Sequence, residues 1–280
     1  MSGIAEALRE AAVRLATVSP TARLDAEVLM AHALGMGRAA MLMRQRDLAV
    51  PAGYQALIDR RAAFEPVAYI TGVQPFWDLD LIVTPDVLIP RADSESLIEA
   101  ADEHFSVRPP ATVLDLGTGS GALLLAALSL FPRATGVGVD VSVAALAVAA
   151  RNAERTKRAE RCRFCQADWC KPGWQRVLAG PFDLILANPP YVESTAVLTP
   201  DVARYEPARA LFAGPEGLDD YAVLLPALPG LLASDGIAIV EIGWTQADPV
   251  VAIAAQTGLV TELRYDLGGR PRALIMRARG

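Results

Sequence analysis

The chain has 280 residues, 52% hydrophobic and 21% charged, which is an ordinary globular composition and long enough for two hydrophobic cores. A formal net charge of -6 and a pI near 5.1 argue against non-specific binding to nucleic acid, which requires a basic face. No apolar run has the length of a transmembrane helix, and the first residues lack the features of a signal peptide. We therefore expect a soluble cytoplasmic protein of two domains, without a membrane partner.

The first 72 residues are predicted to form a helical domain. Apolar residues recur at helical spacing from Ile4 to Leu15, a Ser-Pro pair interrupts the pattern, and a second amphipathic segment ends at Gly35. Further short helices follow to about Tyr69. This part is nearly neutral, whereas the rest of the chain is acidic. Residues 1–72 either pack as a cap or dock the substrate, and we favour docking.

Alternating apolar and polar residues over 73–89, with a turn signal at Thr84-Pro85-Asp86, predict a hairpin linker. Residues 90–280 then alternate apolar strands with helices, as expected for an α/β domain with a mostly parallel sheet. The last two strands, on either side of Gly268-Gly269, are predicted to form an antiparallel hairpin. Such a hairpin is typical of methyltransferase sheets and rare in NAD-binding domains.

A glycine-rich loop, Gly117-Thr118-Gly119-Ser120-Gly121, joins a predicted strand to a predicted helix. Glycines let the backbone approach a ligand closely, and the following helix amino terminus favours a carboxylate or a phosphate. The spacing is G-x-G-x-G and not the dinucleotide pattern G-x-G-x-x-G. Together with Asp115 near the strand end, this departure favours S-adenosylmethionine over NAD.

Two later strands end in acidic residues that are further candidates for cofactor binding. Asp140 ends the second strand, where a carboxylate can accept hydrogen bonds from both ribose hydroxyls. The alternative role for Asp140 is a helix cap, although Ser142 is available for that purpose. The third strand ends at Asp168-Trp169, where a carboxylate suits the adenine amino group and a ring can cover the base. Both can equally be loop residues.

The fourth strand is an apolar run typical of a central parallel strand, and Asn188-Pro189-Pro190-Tyr191 follows it. Because the prolines remove two backbone donors, the side-chain oxygen of Asn188 and the carbonyl of Pro189 are left as acceptors. Two such acceptors suit a planar –NH₂ group, of an amide or of a base, and can aim its lone pair at an electrophile. Tyr191 is expected to wall the pocket. Taken alone, the segment can also be a plain turn.

Three cysteines lie close together in the sequence, at Cys162, Cys165 and Cys170. The first two have the spacing of a metal-binding pair, but no second pair follows, and the histidines His32 and His104 are distant in sequence. The cysteines are therefore predicted to be small apolar side chains near a strand. We expect no metal site.

These segments together resemble the peptide chain release factor N5-glutamine methyltransferase family, the PrmC/HemK family. The likeness covers nearly the whole chain. Asn-Pro-Pro-Tyr is shared with adenine-N6 methyltransferases, so the helical front end and residues 90–95 are the more specific parts. Ser94 stands where the family usually has threonine, and the hydroxyl is kept. Besides the glycine loop and the Asn-Pro-Pro-Tyr segment, the resemblance is carried by residues 65–72, 76–77, 89–95, 205–207 and 217–219.

The resemblance implies a class I S-adenosylmethionine-dependent methyltransferase of Rossmann-like α/β fold, with a small N-terminal helical bundle. It implies cofactor contacts at Gly117 to Gly121, Asp140, Trp169 and Asn188. Glutamine contacts are implied from Asn188 to Tyr191. Asp168 is a candidate from its position alone.

The implied reaction is methylation of the side-chain amide nitrogen of the glutamine in the Gly-Gly-Gln motif of class I release factors, which leaves S-adenosylhomocysteine. The alternatives are a glutamine methyltransferase of a ribosomal protein, an adenine-N6 nucleic-acid methyltransferase and an adenosylmethionine-binding adaptor without activity. We expect a monomer with no direct nucleic-acid substrate.

Overall fold

The computed structural model describes residues 3–266 and 268–279. The chain divides into two compact units. One contains the chain up to Val73 together with Leu198–Tyr205, and the other contains Gln74–Val197 and the chain from Glu206 onward. The segment Leu198–Tyr205 lies outside the range 1–72 that the sequence assigns to the helical domain. Among the described residues, no helix is long and apolar enough to cross a bilayer.

The α-helices of the described residues are 5 to 13 residues long. They are α1 (Ile4–Leu15), α2 (Ala22–Ala33), α3 (Arg38–Arg44), α4 (Tyr54–Ala62), α5 (Val67–Thr71), α6 (Glu95–His104), α7 (Ala122–Leu130), α8 (Val143–Arg155), α9 (Pro200–Tyr205), α10 (Asp219–Leu224) and α11 (Ala247–Gln256). The strands are β1 (Val73–Phe76), β2 (Leu79–Ile82), β3 (Thr112–Leu116), β4 (Thr135–Asp140), β5 (Cys162–Gln166), β6 (Phe182–Ala187), β7 (Leu232–Glu241), β8 (Leu259–Tyr265) and β9 (Pro271–Ala278).

The helical unit has a hydrophobic core of its own, formed by the apolar faces of α1 to α5. Leu8, Leu29 and Ile58 are fully or almost fully buried there. Burying each such side chain contributes about 1.5–3 kcal/mol relative to leaving it exposed. A buried ion pair, Arg61 Nε to Asp25 Oδ2 at 2.8 Å, ties α4 to α2 within this core. The α1 pattern that the sequence shows therefore does mark a packed face.

Strands β1 and β2 form a two-stranded hairpin. Its tight turn is at Trp77, which has a φ of 55°, a left-handed conformation that is uncommon for a residue other than glycine. The backbone N–H of Trp77 donates to Glu95 Oε1 at 2.8 Å, which stabilises this turn. The turn at Pro85 and Asp86 that the sequence signals follows β2 and does not connect the two strands.

The second unit is built on a seven-stranded sheet of order β5-β4-β3-β6-β7-β9-β8. The first five strands in this order are parallel, and β9 is antiparallel to both of its neighbours. The predicted mostly parallel sheet with an antiparallel C-terminal hairpin is thereby confirmed. Two buried clusters cover the two faces of this sheet.

The sequence predicts a helical segment near Asp219 to Leu232, and this prediction is wrong in its second half. Helix α10 ends at Leu224, and residues 225–230 form a 3₁₀ helix that contains Pro226 and Pro229. Proline lacks the backbone N–H that an α-helix needs, so the α-helical hydrogen bonds cannot continue. Strand β7 starts at Leu232, whereas the sequence predicts a strand from Gly236 to Ile242.

The strand register places the candidate site residues at one end of the sheet, beyond the carboxyl ends of its parallel strands. Leu116 at the end of β3 pairs with Val139 on one side and with Ala187 on the other. The loops that follow β3, β4, β5 and β6 therefore emerge together at the carboxyl ends of parallel strands, where open α/β sheets bind ligands.

Candidate functional site

A cavity of about 370 Å³ lies at the carboxyl ends of these strands, within the second unit. Its volume falls in the range of about 300–1,000 Å³ that is usual for small-molecule and cofactor sites. Several residues that the sequence singled out lie together in its wall. They are Gly117, Gly119, Asp140, Asp168, Trp169, Asn188 and Pro190.

The glycine loop needs its glycines for both conformation and space. Gly117, Gly119 and Gly121 have φ values of +75°, +53° and +83°, which are unfavourable for other residues. A Cβ on Gly117 would lie 3.1 Å from the ring of Trp169, and one on Gly121 would lie 3.2 Å from a methyl group of Leu125. The absence of a side chain at Gly117 therefore leaves room at the cavity, whereas at Gly121 it lets the loop pack closely against Leu125.

Thr118 and Ser120 are buried beneath this loop. The hydroxyl of Thr118 donates to Asp115 Oδ2 at 2.6 Å, and the backbone carbonyl of Ser120 accepts from Asn152 Nδ2 at 2.9 Å. These hydrogen bonds hold the loop from below. Thr118 and Ser120 thus support the loop, while the glycines Gly117 and Gly119 form its cavity surface.

Asp115 is buried, and its two oxygens differ. Oδ2 accepts from the Thr118 hydroxyl and, at 3.3 Å, from the backbone N–H of Leu124, whereas Oδ1 has no partner among the described residues. Burial raises the pKa of this carboxyl from 3.8 to about 7, and the hydrogen bonds to Thr118 and Leu124 oppose that rise only in part. The sequence pointed to Asp115 by its place near the strand end but did not indicate an unpaired oxygen.

Asp140 is held by backbone donors of two loops. Its Oδ2 accepts from Gly119 N at 2.9 Å and its Oδ1 from Ser142 N at 2.8 Å. Each carboxylate oxygen has two lone pairs, so both retain capacity for a ligand hydroxyl. The cap of α8 is Ser142, whose hydroxyl accepts from Ala145 N at 3.2 Å. Asp140 is therefore not needed as the helix cap.

Trp169 lies against the glycine loop, and Asp220 fixes its orientation. Its indole Nε1 donates to Asp220 Oδ1 at 2.7 Å. Burial raises the pKa of Asp220, and the hydrogen bond from Trp169 counteracts that effect. Asp168 lies 3.5 Å from a guanidinium nitrogen of Arg209 and also accepts from the backbone N–H of Cys170 at 3.1 Å. Sequence reasoning missed Asp220 and Arg209, which lie about 40 to 50 residues further along the chain.

A chain of side-chain hydrogen bonds stands behind Asn188. Its Nδ2 donates to Ser94 Oγ at 3.2 Å, and the Ser94 hydroxyl donates to Glu241 Oε2 at 2.5 Å. The Tyr191 hydroxyl donates to the other oxygen of Glu241 at 3.2 Å. Burial raises the pKa of both Glu241 and Tyr191. Tyr191 thus packs behind Asn188 with its hydroxyl inside the protein, and Pro190 contributes to the cavity wall.

Two charged residues, Arg91 and Asp93, anchor segment 89–95. Arg91 pairs with the buried Glu206 at 2.5 Å, and Glu206 also accepts from the backbone N–H of Ile89 at 3.2 Å. Asp93 pairs with Arg272 at 2.8 Å. These contacts hold Ser94 in place beside Asn188.

The cysteines Cys162, Cys165 and Cys170 form no metal-binding cluster with the other side chains that the structure describes. Cys162 and Cys165 are half-buried, Cys170 is exposed, and all are free thiols. Burial raises the pKa of Cys162 to about 11, so this thiol stays protonated at neutral pH. Within residues 3–266 and 268–279, no group of three or more His, Cys, Asp or Glu side chains has the arrangement of a metal site.

Comparison with protein families gives two matches along the chain. Residues 6–72 match the PrmC N-terminal domain, and residues 108–224 match a methyltransferase domain. Among similar proteins, the release factor glutamine methyltransferase of Rhodospirillum rubrum is 42% identical over 92% of this chain and 79% of its own length. That of Moorella thermoacetica is 40% identical over 96% of both chains.

Solved structures share the fold at lower identity. A methyltransferase from Pyrococcus furiosus has a TM-score of 0.53 and 19% identity, covering 80% of this chain and 98% of the other. The hMettl16 catalytic domain, solved in complex with an RNA hairpin, has a TM-score of 0.58 and 13% identity, covering 79% of this chain and 83% of the other. At these identities the likeness extends to the fold alone.

Proposed function

The chain belongs to the release factor glutamine methyltransferase family, and from this premise we propose that it transfers a methyl group from S-adenosylmethionine to a release factor glutamine. The acceptor atom is the side-chain amide nitrogen, and the glutamine is that of the Gly-Gly-Gln motif in a class I factor. One observation carries the proposal. The donor end of the Asn188 amide is engaged by Ser94, which leaves its oxygen as an acceptor at the cavity.

The residues present fit S-adenosylmethionine. The glycine loop, whose cavity side has no side chains, suits the methionine carboxylate, because loops before helix amino termini favour anions. Asp140 keeps lone pairs for the ribose hydroxyls, and Trp169 has a ring to cover the adenine, with Asp168 beside it. When bound, S-adenosylmethionine supplies an electrophilic methyl group on a sulfonium and leaves as S-adenosylhomocysteine.

Asn188 and the two prolines act by positioning the substrate amide. An amide nitrogen is a poor nucleophile, because its lone pair is delocalised into the carbonyl. The Asn188 oxygen and the Pro189 carbonyl accept hydrogen bonds from its two N–H groups and hold the lone pair towards the methyl group. Pro189 and Pro190 keep these acceptors rigid. The nitrogen loses a proton to water only after it has gained positive charge, so no strong base is needed.

Two glycines before the glutamine let the substrate backbone approach the cavity closely, because they have no side chains to clash with its walls. Binding energy from remote parts of the release factor then helps to hold the amide in place. We propose that residues 1–72 supply part of this docking. A free glutamine or a short Gly-Gly-Gln peptide should therefore have a kcat/KM lower than the intact factor by at least about 10²-fold. Equal values for peptide and factor would remove the docking role.

The test of the reaction is methyl transfer from labelled S-adenosylmethionine to separate acceptors. These are a class I release factor, the same factor with its motif glutamine replaced by alanine, ribosomal protein, and DNA. We expect label on the glutamine of the unmodified factor and none on the alanine variant. Label on DNA or on ribosomal protein would favour the corresponding alternative. Tight cofactor binding without a single turnover on any acceptor would favour the adaptor.

A further inference from the structure

Glu241 is a buried carboxylate at the end of β7, close to the site but outside the cavity wall. Strand β7 lies beside β6, and Ala187 pairs with Val240. The next residues are Asn188, which directly follows β6, and Glu241, the last residue of β7, so the sheet brings the acidic residue next to the proposed amide-binding residue. Ser94 lies between these two side chains and hydrogen bonds to both.

We infer that Glu241, acting through Ser94, is a positioning residue that determines which end of the Asn188 side-chain amide faces the substrate. This inference rests on the proposed function and adds to it a reason for the orientation of Asn188. The oxygen and nitrogen ends of an asparagine amide have nearly the same shape, so packing alone does not distinguish them. A hydrogen-bond partner of fixed polarity is needed.

The carboxylate provides that polarity through the single proton of Ser94. An ionised Glu241 only accepts hydrogen bonds, so the Ser94 proton points to Oε2 across 2.5 Å. Ser94 then has only lone pairs left for Asn188, and only the –NH₂ end can approach them. The Asn188 oxygen is consequently turned away from Ser94.

The opposite orientation would be unproductive. It would place the Asn188 oxygen against a lone pair of Ser94 and its –NH₂ group against the –NH₂ group of the substrate. Two donors facing each other make no hydrogen bond, so the substrate nitrogen would lose the acceptor that aims its lone pair. The orientation of one amide therefore controls whether the site can position its nucleophile.

Several elements keep Glu241 itself in place. Tyr191 donates to Oε1 at 3.2 Å, and the Tyr221 hydroxyl of α10 donates to the backbone carbonyl of Glu241 at 2.9 Å. Arg272 of β9 favours the ionised form electrostatically, whereas Asp93 opposes it. Burying a carboxylate is costly, and an apolar side chain of similar size often stabilises a core as well or better. Stability alone therefore does not explain an acid at this position.

Glu241→Gln is the most direct test, because glutamine has nearly the same shape but one acceptor and one donor end. It cannot accept from both Ser94 and Tyr191, so the Ser94 proton is fixed only in those molecules whose glutamine oxygen faces Ser94. We expect kcat for release factor methylation to fall by about 10-fold or more, with KM for the factor and cofactor affinity within about 3-fold of wild type. Ser94→Ala should have the same effect, and Ser94→Thr, which keeps the hydroxyl, should retain activity.

Asp183→Asn serves as a matched control for the loss of a hydrogen-bonded carboxylate on a neighbouring strand. Asp183 lies near the start of β6, at the end of the sheet opposite the cavity, where it accepts from the backbone N–H groups of Ala111 and Thr112. This variant is expected to lower the melting temperature and leave kcat unchanged. If Glu241 and Ser94 served only to stabilise the fold, Glu241→Gln and Ser94→Ala would, like this control, lower the melting temperature and leave kcat unchanged, and the inference would be wrong.

The pH profile gives a second readout. Protonated Glu241 can donate to Ser94, which frees the Ser94 proton to turn towards Asn188. Burial raises the pKa of Glu241 above its usual 4.5, and the groups facing it are Asp93, Arg272 and Tyr191, with Tyr221 at its backbone. Wild-type kcat should therefore fall on the acid side at a pH above 4.5. That acid limb should be absent from Glu241→Gln, and its persistence there would overturn the inference.

Nuclear magnetic resonance on asparagine-labelled protein tests the amide orientation without any turnover. The wild type should show one pair of Asn188 Nδ2 protons with slow solvent exchange. Glu241→Gln and Ser94→Ala should show two forms or fast exchange, and Asp183→Asn should match the wild type. An unchanged Asn188 signal in Glu241→Gln would refute the inference. The expected change in a protein that methylates no release factor would keep the inference and reject the proposed function.

Discussion

The buried carboxyl of Asp115 allows a stability prediction whose size follows from its surroundings. Burial raises its pKa from 3.8 to about 7. Between these two values the folded protein holds a proton that the unfolded chain has released, so the free energy of unfolding falls as pH rises through this window. From pH 5 to pH 8 the loss from this one group is about 2.5 kcal/mol. The cost of the buried charge is fully present above pH 7.

Asp115→Asn removes this dependence, because an amide does not ionise. Its oxygen can still accept from Thr118 and from the backbone of Leu124. The variant should therefore gain about 2.5 kcal/mol relative to wild type on going from pH 5 to pH 8. The quantity compared is the change in the free energy of unfolding from pH 5 to pH 8, in the variant and in the wild type. The constant cost of burying an unpaired –NH₂ group does not affect this comparison. The titration of groups that both proteins share cancels in it.

Urea unfolding of the cofactor-free protein at pH 5 and pH 8 measures these free energies. Asp235→Asn is the control, because the side chain of Asp235 is 81% exposed and its substitution should have the same effect at both pH values. If Asp115→Asn and wild type differ by the same amount at pH 5 and at pH 8, the carboxyl is already ionised in the fold and the reasoning fails.

Three further substitutions test the proposed site. Asp140→Ala should weaken cofactor binding by about 1.5–3 kcal/mol, because two ribose hydroxyls lose a charged acceptor. If calorimetry shows unchanged cofactor affinity in the folded variant, Asp140 does not bind the ribose. Asn188→Ala should lower kcat by about 10²-fold or more, with a smaller effect on cofactor affinity. Wild-type turnover in this variant would mean that Asn-Pro-Pro-Tyr is only a turn. Gly117→Ala should weaken cofactor binding at least about 10-fold, because φ is +75° and the new Cβ would lie 3.1 Å from Trp169, and calorimetry on the folded variant checks this.

Local patterns in the sequence were sufficient for most of the elements that carry the site. The sequence predicts strands over 112–116 and 182–187 and helices over 122–130 and 143–155, and these bounds agree with those of β3, β6, α7 and α8. These segments have strong apolar runs and clear ends, namely glycines before α7, Ser142 before α8 and a proline on either side of β6. Because each signal lies within a few residues of the element it defines, no knowledge of the tertiary fold was needed.

The misplaced elements are those in which a local signal competed with another interaction. Pro226 and Pro229 lie in a segment whose apolar spacing is helical, and they convert its second half to a 3₁₀ helix. The hairpin turns at Trp77, a residue with no turn preference, because the side chain of Glu95 binds its backbone. A contact with a residue 18 positions away is not visible in a turn pattern.

The sequence by itself indicated the fold class, the family and the residues at the strand ends, because strand, loop and helix follow one another along the chain. Only the tertiary structure joined Ser94 to Glu241, which are 147 residues apart, and Trp169 to Asp220, which are 51 apart. Those pairs exist only in the folded chain, and β7 lies beside β6 although two α-helices, two 3₁₀ helices and a long loop separate them in the sequence. The sequence could therefore name Asn188, whereas the hydrogen bonds that orient it exist only once the sheet has assembled.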